Sequence, residues 1–140
     1  MSSNTDYSFN GYSTVYFKGE NFKSYNSSLG YTRIHLHNLS ANSTISIGGD
    51  ITTLINPAGN VFTLTDTSVF NSLFRNINDS NIDSVDASAL KLTSTTLTNF
   101  CYDNMFYGSK LTAAPTLPVA TLAEYCYRNM FYGCDLLESV

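Results

Sequence analysis

A repeat near the C-terminus constrains this chain more than any other sequence feature. Residues 96–108 read TLTNFCYDNMFYG and residues 121–133 read TLAEYCYRNMFYG, so nine of thirteen positions are identical at an offset of 25. A degenerate third copy precedes them, with Leu73-Phe74 in the place of Met-Phe. A unit this short cannot bury an apolar face alone, so we expect neighbouring copies to pack against one another and share a core.

Each copy predicts a short helix. In the second copy, Thr121 and Glu124 have the spacing of a capping box at a helix N-terminus. Apolar side chains recur at i, i+4 and i+8 and would share one inward helical face: Leu122, Cys126 and Met130. Glycines that suit a helix C-terminus end both copies: Gly108 and Gly133. The pattern therefore predicts helices over residues 97–107 and 122–132.

The first half of the chain contains no repeat and predicts β-structure. Short runs of β-branched and aromatic residues occur at 13–17, 31–39 and 43–47, with glycines at the turns between them. A stack of repeats needs a cap, because its terminal unit would otherwise expose core. Residues 1–68 are therefore predicted to form a β-sheet or small sandwich that covers the first repeat copy.

Composition limits the functional classes. Charged residues are 13% of the chain, the net charge is −4, and 18 Ser, 16 Thr and 15 Asn supply most of the polarity. Nucleic-acid binding needs clustered Lys and Arg, which this balance does not provide. No apolar stretch is long enough to span a membrane, and the opening residues lack the apolar segment of a signal peptide. We therefore predict no nucleic-acid partner and no membrane insertion; either the chain is not secreted by that route or a signal was removed.

Few residues could carry chemistry. Cys101 and Cys126 occupy equivalent repeat positions, so their thiols could form a ladder in the core, a disulfide or part of a metal site, and the ladder is favoured. His35 and His37 would share a strand face without a third ligand nearby. Three carboxylates lack the spacing of a calcium loop: Asp79, Asp83 and Asp86. The sequence predicts no catalytic residue, no metal site and no cofactor, and hence no enzyme.

Four tyrosines form the candidate binding surface. Tyr107 and Tyr132 recur at one repeat position, and Tyr102 and Tyr127 recur at another. A tyrosine offers a rigid apolar plane with a polar tip, which suits stacking on sugars or anchoring a protein contact. The alternative for Tyr102 and Tyr127 is that they widen the core stripe, and for Tyr107 and Tyr132 a structural role is equally open.

The repeat phrase resembles the leucine-rich repeats of the BspA type, which occur in cell-surface proteins of gut and oral bacteria and in some of their phages. The resemblance covers about half the chain. It rests on Met130-Phe131-x-x-Cys134-x-x-Leu137-x-x-Val140 and on Leu117-Pro118-x-x-x-Leu122. A gut-microbial variant has units like CYxNMFYGC…LPATTLA, which residues 126–134 match. The resemblance implies binding and adhesion without catalytic residues, and it places Cys134 at a corner where Asn or Cys satisfies loop backbone groups.

The repeat and the resemblance together predict an α+β fold. A β-rich capping segment at residues 1–68 would precede leucine-rich-repeat coils at residues 69–140, about two and a half in number. These coils would form a short solenoid with one short helix per coil.

The predicted function is a non-enzymatic recognition or adhesion module, displayed on a phage particle in a tail or head fibre, or on a bacterial cell surface. Its partner would be a protein or glycan on a target cell. The alternative is a purely structural virion or assembly protein whose repeats bind neighbouring subunits. A secreted hydrolase would need an acid/base pair, which the sequence does not show.

The last residues predict an association edge. Val140 follows Leu136 and Leu137 in the middle of a coil, without a polar capping segment. The open end of a repeat stack exposes unpaired backbone groups and apolar core. Two explanations stay open: further coils follow, or these three residues are buried against another chain in a homo-oligomer.

Overall fold

A parallel sheet of three strands organises the molecule. Its order is β3 (Ser43–Asp50), β4 (Ile82–Lys91) and β5 (Leu111–Ala113), and Val85 in β4 lies between Ile45 and Leu111. Two shorter strands, β1 (Tyr25–Asn26) and β2 (Gly30–Tyr31), pair antiparallel. The computed structural model describes residues 25–26, 30–31, 33–34, 36, 39–118 and 120–138.

The strands begin three stacked layers of chain: layer 1 (residues 43–77), layer 2 (residues 82–109) and layer 3 (residues 111–134). After its strand, each layer reaches a threonine that pairs in parallel with its equivalent in the neighbouring layer: Thr63, Thr96 and Thr121. Each layer then enters nine residues of consecutive turns, which we call the turn segments: residues 68–76, 100–108 and 125–133. Hydrogen bonds join neighbouring layers at all three places.

Every fourth residue of a turn segment has a positive φ. In layer 2 these residues are Phe100 (58°), Asn104 (54°) and Gly108 (66°). The equivalents in the other layers have φ between 52° and 69°: Ser68, Ser72, Asn76, Tyr125, Asn129 and Gly133. Every second N–H of a turn segment donates a hydrogen bond to the carbonyl three residues earlier and so closes a turn. The Met105 N–H, for example, donates to the Tyr102 carbonyl at 3.2 Å. Type II turns require a positive φ at their third residue, and Asn and Gly adopt it most readily.

The predicted helices at residues 97–107 and 122–132 are wrong. The α+β class and the leucine-rich-repeat solenoid with one helix per coil are wrong with them. Within the described ranges the single helical element is a 3-10 helix at Ile51–Leu54, and the repeat copies are turns. A left-handed residue such as Asn104 interrupts a right-handed helix. Inward side chains recur every four residues both along one face of a helix and along these turn segments. This spacing alone therefore does not distinguish a helix from a turn segment.

The predicted capping box is replaced by bonds between layers. The Thr121 N–H donates to the Thr95 carbonyl at 2.7 Å, and the Glu124 N–H donates to Asn99 Oδ1 at 3.2 Å. Both groups therefore hold layer 3 on layer 2 instead of starting a helix.

Side chains of the turn segments alternate in pairs. In layer 2, the pairs Cys101-Tyr102 and Met105-Phe106 point inward, and all four side chains are 0% exposed. The pair between them and the pair after them, Asp103-Asn104 and Tyr107-Gly108, are not part of the apolar core, although Asp103 is itself only 2% exposed. Layer 3 repeats the order, with Cys126 and Met130 buried. The inward pairs and the strand side chains form one apolar core that runs through the layers.

The degenerate third copy is placed as predicted. The Phe74 N–H donates to the Met105 carbonyl at 2.9 Å, and the Phe74 ring stacks on the Phe106 ring with 5.3 Å between centroids. The correspondence of Leu73-Phe74 with Met105-Phe106 is therefore confirmed.

Asp50 fixes the chain after β3. Its Oδ1 accepts from the N–H and the hydroxyl of Thr52 (2.9 and 2.7 Å) and from the Thr93 hydroxyl of layer 2 (3.0 Å), and its Oδ2 accepts from the Asn60 N–H (2.7 Å). Burial alone would raise the pKa of Asp50, but these hydrogen bonds together hold that pKa below its ordinary value. Gly59 has a φ of 69°, and a Cβ there would lie only 2.8 Å from Oδ2.

The N-terminal prediction is tested in part. The strand predicted at 43–47 is confirmed within β3. The run at 13–17 lies outside the described residues, as does part of 31–39. The Ile34 N–H donates to the Leu73 carbonyl at 2.8 Å, and Ile34, Leu36 and Leu39 pack against the core. The division of the chain at residue 68 stays a prediction.

Candidate recognition surface

Two rows of stacked groups lie on the outward side of the turn segments. In the first row, the Tyr107 ring lies 4.4 Å from the Arg75 guanidinium and 5.1 Å from the Tyr132 ring. In the second row, the Phe100 and Tyr125 rings stack with 5.1 Å between centroids. The rows form because equivalent positions of successive turn segments lie directly beside one another.

Arg128 is held against the second row. Its guanidinium donates to Asp103 through Nε (3.1 Å to Oδ1) and Nη2 (2.8 Å to Oδ2), and it lies 4.8 Å from the Tyr125 ring and 5.3 Å from the Phe100 ring. Asp103 is only 2% exposed and also accepts from Asn71 Nδ2 at 3.3 Å. Two parallel bonds fix the orientation of the guanidinium plane.

We call five of these residues the outer surface: Phe100, Tyr107, Tyr125, Arg128 and Tyr132. Tyr132 is 63% exposed and Tyr125 is 48% exposed. One face of each of these two rings contacts layer 2, and the exposure of both rings leaves them accessible to a ligand within the described part of the chain. The arrangement therefore offers rigid apolar planes beside a cation that is already neutralised by Asp103.

The four predicted tyrosines separate into two groups. Tyr107 and Tyr132 lie on the outer surface. Tyr102 is fully buried between the Phe70 ring (5.6 Å) and the Tyr127 ring (5.5 Å), so this pair belongs to the core. Burial raises the pKa of Tyr102 and raises the pKa of Tyr127 to about 12, and the Tyr127 hydroxyl has no hydrogen-bond partner within the described ranges.

The cysteines lie in the core as free thiols. Cys101 and Cys126 are 0% and 5% exposed in adjacent layers, which fits the predicted ladder. Burial raises the pKa of Cys101 to about 12, which suppresses its thiolate. Cys134 Sγ donates to the Phe106 carbonyl at 3.1 Å, as Ser109 Oγ does to the Phe74 carbonyl at 2.7 Å. The predicted role of Cys134 in satisfying loop backbone is confirmed.

The predicted association edge is only partly described. Leu136 is 43% exposed, and Leu137 packs against the core. Val140 lies outside the described residues. Leu122, which was predicted to face the core, is 66% exposed because no further layer covers it in the described part of the chain.

The other candidate residues are not brought together. Asp79 and Asp86 accept backbone N–H bonds from Asn81 (2.9 Å) and Ser88 (2.8 Å), as turn residues do. His35 and His37 lie outside the described residues. Over the described ranges, no three His, Cys, Asp or Glu side chains lie close enough to hold a metal ion together.

The sequence-based prediction missed three residues of the outer surface, Phe100, Tyr125 and Arg128, and also Arg75, which lies over the Tyr107 ring. A signal was present in the repeat itself. Phe100 and Tyr125 stand at the same position of the two copies, as do Asp103 and Arg128, which carry opposite charges. Stacked copies place such positions in contact, so these differences pointed to a ring stack and an ion pair.

Comparison with known proteins adds no relative. The chain matches no family model, no curated protein and no solved structure. In the described part of the chain, no helix has the length and apolar character needed to cross a membrane. The geometry of the turn segments is therefore what indicates a function.

Proposed function

We propose that this chain is a non-enzymatic recognition or adhesion module, displayed on a phage particle or a bacterial cell surface, which binds a protein or glycan through its outer surface. The observation that supports this most is the pair of exposed, parallel ring stacks ending in Tyr125 and Tyr132. The resemblance of the repeat phrase to BspA-type surface proteins favours the same setting.

The stacks lower the cost of binding. A ring that is already fixed against Phe100 or Tyr107 loses little rotamer freedom when a partner covers its other face. Tyr and Arg are also the side chains that most often dominate binding energy. Because Asp103 neutralises Arg128, the surface favours a ligand with apolar faces and scattered hydroxyl or amide groups over a strongly charged one.

The experiment is a glycan array probed with the labelled chain, followed by affinity measurements on any ligand found. Tyr132→Ala and Tyr125→Ala should each weaken binding about tenfold or more, because each removes a central ring plane. Phe62→Ala is the matched control, since Phe62 is 58% exposed but lies outside the outer surface. Equal ligand affinity in all three variants, each shown to be folded by circular dichroism, would show that the outer surface is not the binding site.

A second candidate function is a structural virion or assembly protein whose layers bind neighbouring subunits. One observation favours it: the backbone N–H groups along one side of layer 3 have no acceptor within the described ranges. Size-exclusion chromatography with light scattering of the chain, mixed with virion or cell-surface proteins, would separate assembly from glycan recognition.

A further inference from the structure

The hydrogen bonds of the turn segments follow one rule in layers 1 and 2. Alternate N–H groups close turns within the layer, and the remaining ones donate to carbonyls of the next layer. In layer 1 five N–H groups reach layer 2, those of Ser68, Phe70, Ser72, Phe74 and Asn76. In layer 2 five more reach layer 3, those of Phe100, Tyr102, Asn104, Phe106 and Gly108. These bonds are 2.8 to 3.0 Å long.

Layer 3 carries the same five donors without acceptors in the described part of the chain: Tyr125, Tyr127, Asn129, Phe131 and Gly133. We call the side of layer 3 on which they lie the terminal face. The carbonyls of layer 3 are used elsewhere. Those of Glu124, Cys126, Arg128, Met130 and Tyr132 accept from layer 2, and most of the others accept turn bonds within layer 3. The turn segment therefore presents donors alone on this face.

Ring stacks also end at the terminal face. Phe70, Tyr102 and Tyr127 form one stack through the core, with centroid distances of 5.6 and 5.5 Å. Phe74, Phe106 and Phe131 form a second, at 5.3 and 6.0 Å. The last ring of each stack has one face on layer 2 and is only partly buried, and no further ring of the described residues stacks on its other face.

The row of N–H donors on the terminal face limits which polypeptide structures can pair with it. A symmetric pair of terminal faces would set donors against donors. An extended strand alternates donors and acceptors along its edge, so it would satisfy only part of the row. The acceptor side of a turn segment presents a carbonyl at every second residue together with matching rings, as layer 3 does to layer 2. In a second folded copy of this chain, the corresponding side of layer 1 is already used in part, because the Leu73 carbonyl accepts from Ile34.

We propose that the terminal face binds a polypeptide segment carrying a further, unengaged copy of the Cys-Tyr-x-Asn-Met-Phe-Tyr-Gly turn sequence, which adds to layer 3 as layer 3 adds to layer 2. Five N–H groups would gain carbonyl acceptors, and the open faces of Tyr127 and Phe131 would gain ring partners. This proposal goes beyond the recognition function: the terminal face shares Tyr125 with the outer surface, but its other contacts, with the Tyr127 and Phe131 rings among them, lie outside that surface.

The test uses the full chain labelled with 15N and a synthetic peptide with the sequence of residues 114–138, under reducing conditions. The amide signals of Tyr125, Tyr127, Asn129, Phe131 and Gly133 should shift on titration, and their hydrogen exchange should slow about tenfold or more at saturation. A matched peptide carrying Asn129→Val and Gly133→Val should do neither, because a β-branched residue does not adopt the positive φ of these positions.

A fused copy removes the objection that a free peptide binds too weakly because it must first be ordered. Residues 114–138 are appended after Glu138, which keeps the offset of 25 between copies. Slowed exchange at the same amides, absent when the added copy carries Asn129→Val and Gly133→Val, would support the proposal. Exchange as fast as in the parent chain, or equal protection by both fused copies, would overturn it. Glycan binding by the outer surface stands or fails separately from these amide measurements.

Discussion

The two near-identical copies, residues 96–108 and 121–133, lie in different surroundings. Among the described residues, layer 2 is covered on both sides, whereas layer 3 is covered on one. Leu97 is 6% exposed and Leu122 is 66% exposed, although both follow a threonine at the start of the same phrase. Tyr102 is fully buried, and Tyr127 is only half-buried. Burial of an identical residue is therefore set by the neighbouring layer and not by the local sequence.

The positions at which the copies differ are equally informative. Only four of thirteen positions differ, and at three of them the two residues contact each other across the layers: Asn99 with Glu124, Phe100 with Tyr125, and Asp103 with Arg128. Two aspartates at the last position would repel each other, whereas Asp and Arg form an ion pair. Identical residues maintain the repeated backbone and stack ring on ring between the copies, whereas the differing residues add contacts that are specific to this pair of copies.

The largest expected contrast lies in the inward phenylalanines. Phe106→Ala should cost about 3–5 kcal/mol of unfolding free energy, because Phe106 is fully buried between two rings. Phe131→Ala should cost about half as much or less, since that ring is only partly buried and stacks on a single ring of the described residues. Urea denaturation measures both values, and equal losses would mean that the terminal face is covered.

The glycines that end the two turn segments give a smaller contrast. Gly108→Ala and Gly133→Ala should each cost about 1–2 kcal/mol for a positive φ. Gly108→Ala should cost more, because its Cβ would lie 2.6 Å from Asn76 Oδ1, whereas the nearest atom to a Cβ at Gly133 is 3.5 Å away.

Thermal unfolding in the Asn76→Gly background isolates this difference. Asn76 has a positive φ that glycine adopts freely, so the change removes the obstructing side chain without backbone strain. The two alanine variants should then have equal cost. A persisting gap would show that something other than Asn76 opposes a side chain at Gly108.

The ion pair between the copies should contribute about 1 kcal/mol. A double-mutant cycle with Asp103→Asn and Arg128→Gln measures the coupling of the two charges apart from their separate effects. The coupling should fall only slightly as salt rises, because Asp103 is buried while Arg128 is 45% exposed. A coupling near zero would mean that the Phe100 and Tyr125 rings, and not Asp103, mainly hold Arg128 in place.

The smallest expected effect is the loss of stability that Cys101 in layer 2 contributes at alkaline pH. Burial raises the pKa of Cys101 to about 12 from an ordinary value of 9.0, so the folded chain keeps a proton that the unfolded chain releases. The contribution to stability is fully present below pH 9 and is lost as the pH rises from about 9 towards 12. Urea denaturation at pH 8 and pH 10 should show a loss of stability of which Cys101→Ala removes about 1 kcal/mol. The remainder belongs to Tyr102, Tyr127 and Cys134, whose pKa values burial also raises, and an unchanged loss in the variant would assign all of it to such groups.

Sequence reasoning predicted the repeat, the layer contacts between copies, the strand at 43–47 and the backbone role of Cys134. It placed a helix where turn segments lie. Cys101 and Met105 recur at four residues in either structure, and the residues that separate the two were Asn104 and Gly108. These lie four apart at positions of positive φ, which a helix does not allow before its end. The interpretation of Gly108 as a helix C-terminus took no account of Asn104 four residues earlier.

Only part of the outer surface was predicted, because the prediction relied on residues that are identical in both copies. Tyr107 and Tyr132 were identified because they are repeated, whereas Tyr125 and Arg128 were missed because they are not. A search for shared residues favours those that maintain the backbone and the core. Side chains that distinguish the copies were visible in the sequence, but their contacts followed only once the layers were known to stack with equivalent positions side by side.

The alternation of inward and outward pairs has a consequence for changes in chain length. One residue inserted within 100–108 would move half of every later inward pair out of the core, whereas four inserted residues would restore the pattern. Equivalent turn positions are 32 residues apart from layer 1 to layer 2 and 25 apart from layer 2 to layer 3. Because the turn segments have equal lengths, the seven additional residues all lie in the connection between the turn segments of layers 1 and 2. Insertions and deletions are thus tolerated in the connections that precede each turn segment, and loops of new length can be grafted there while the stacked turns stay intact.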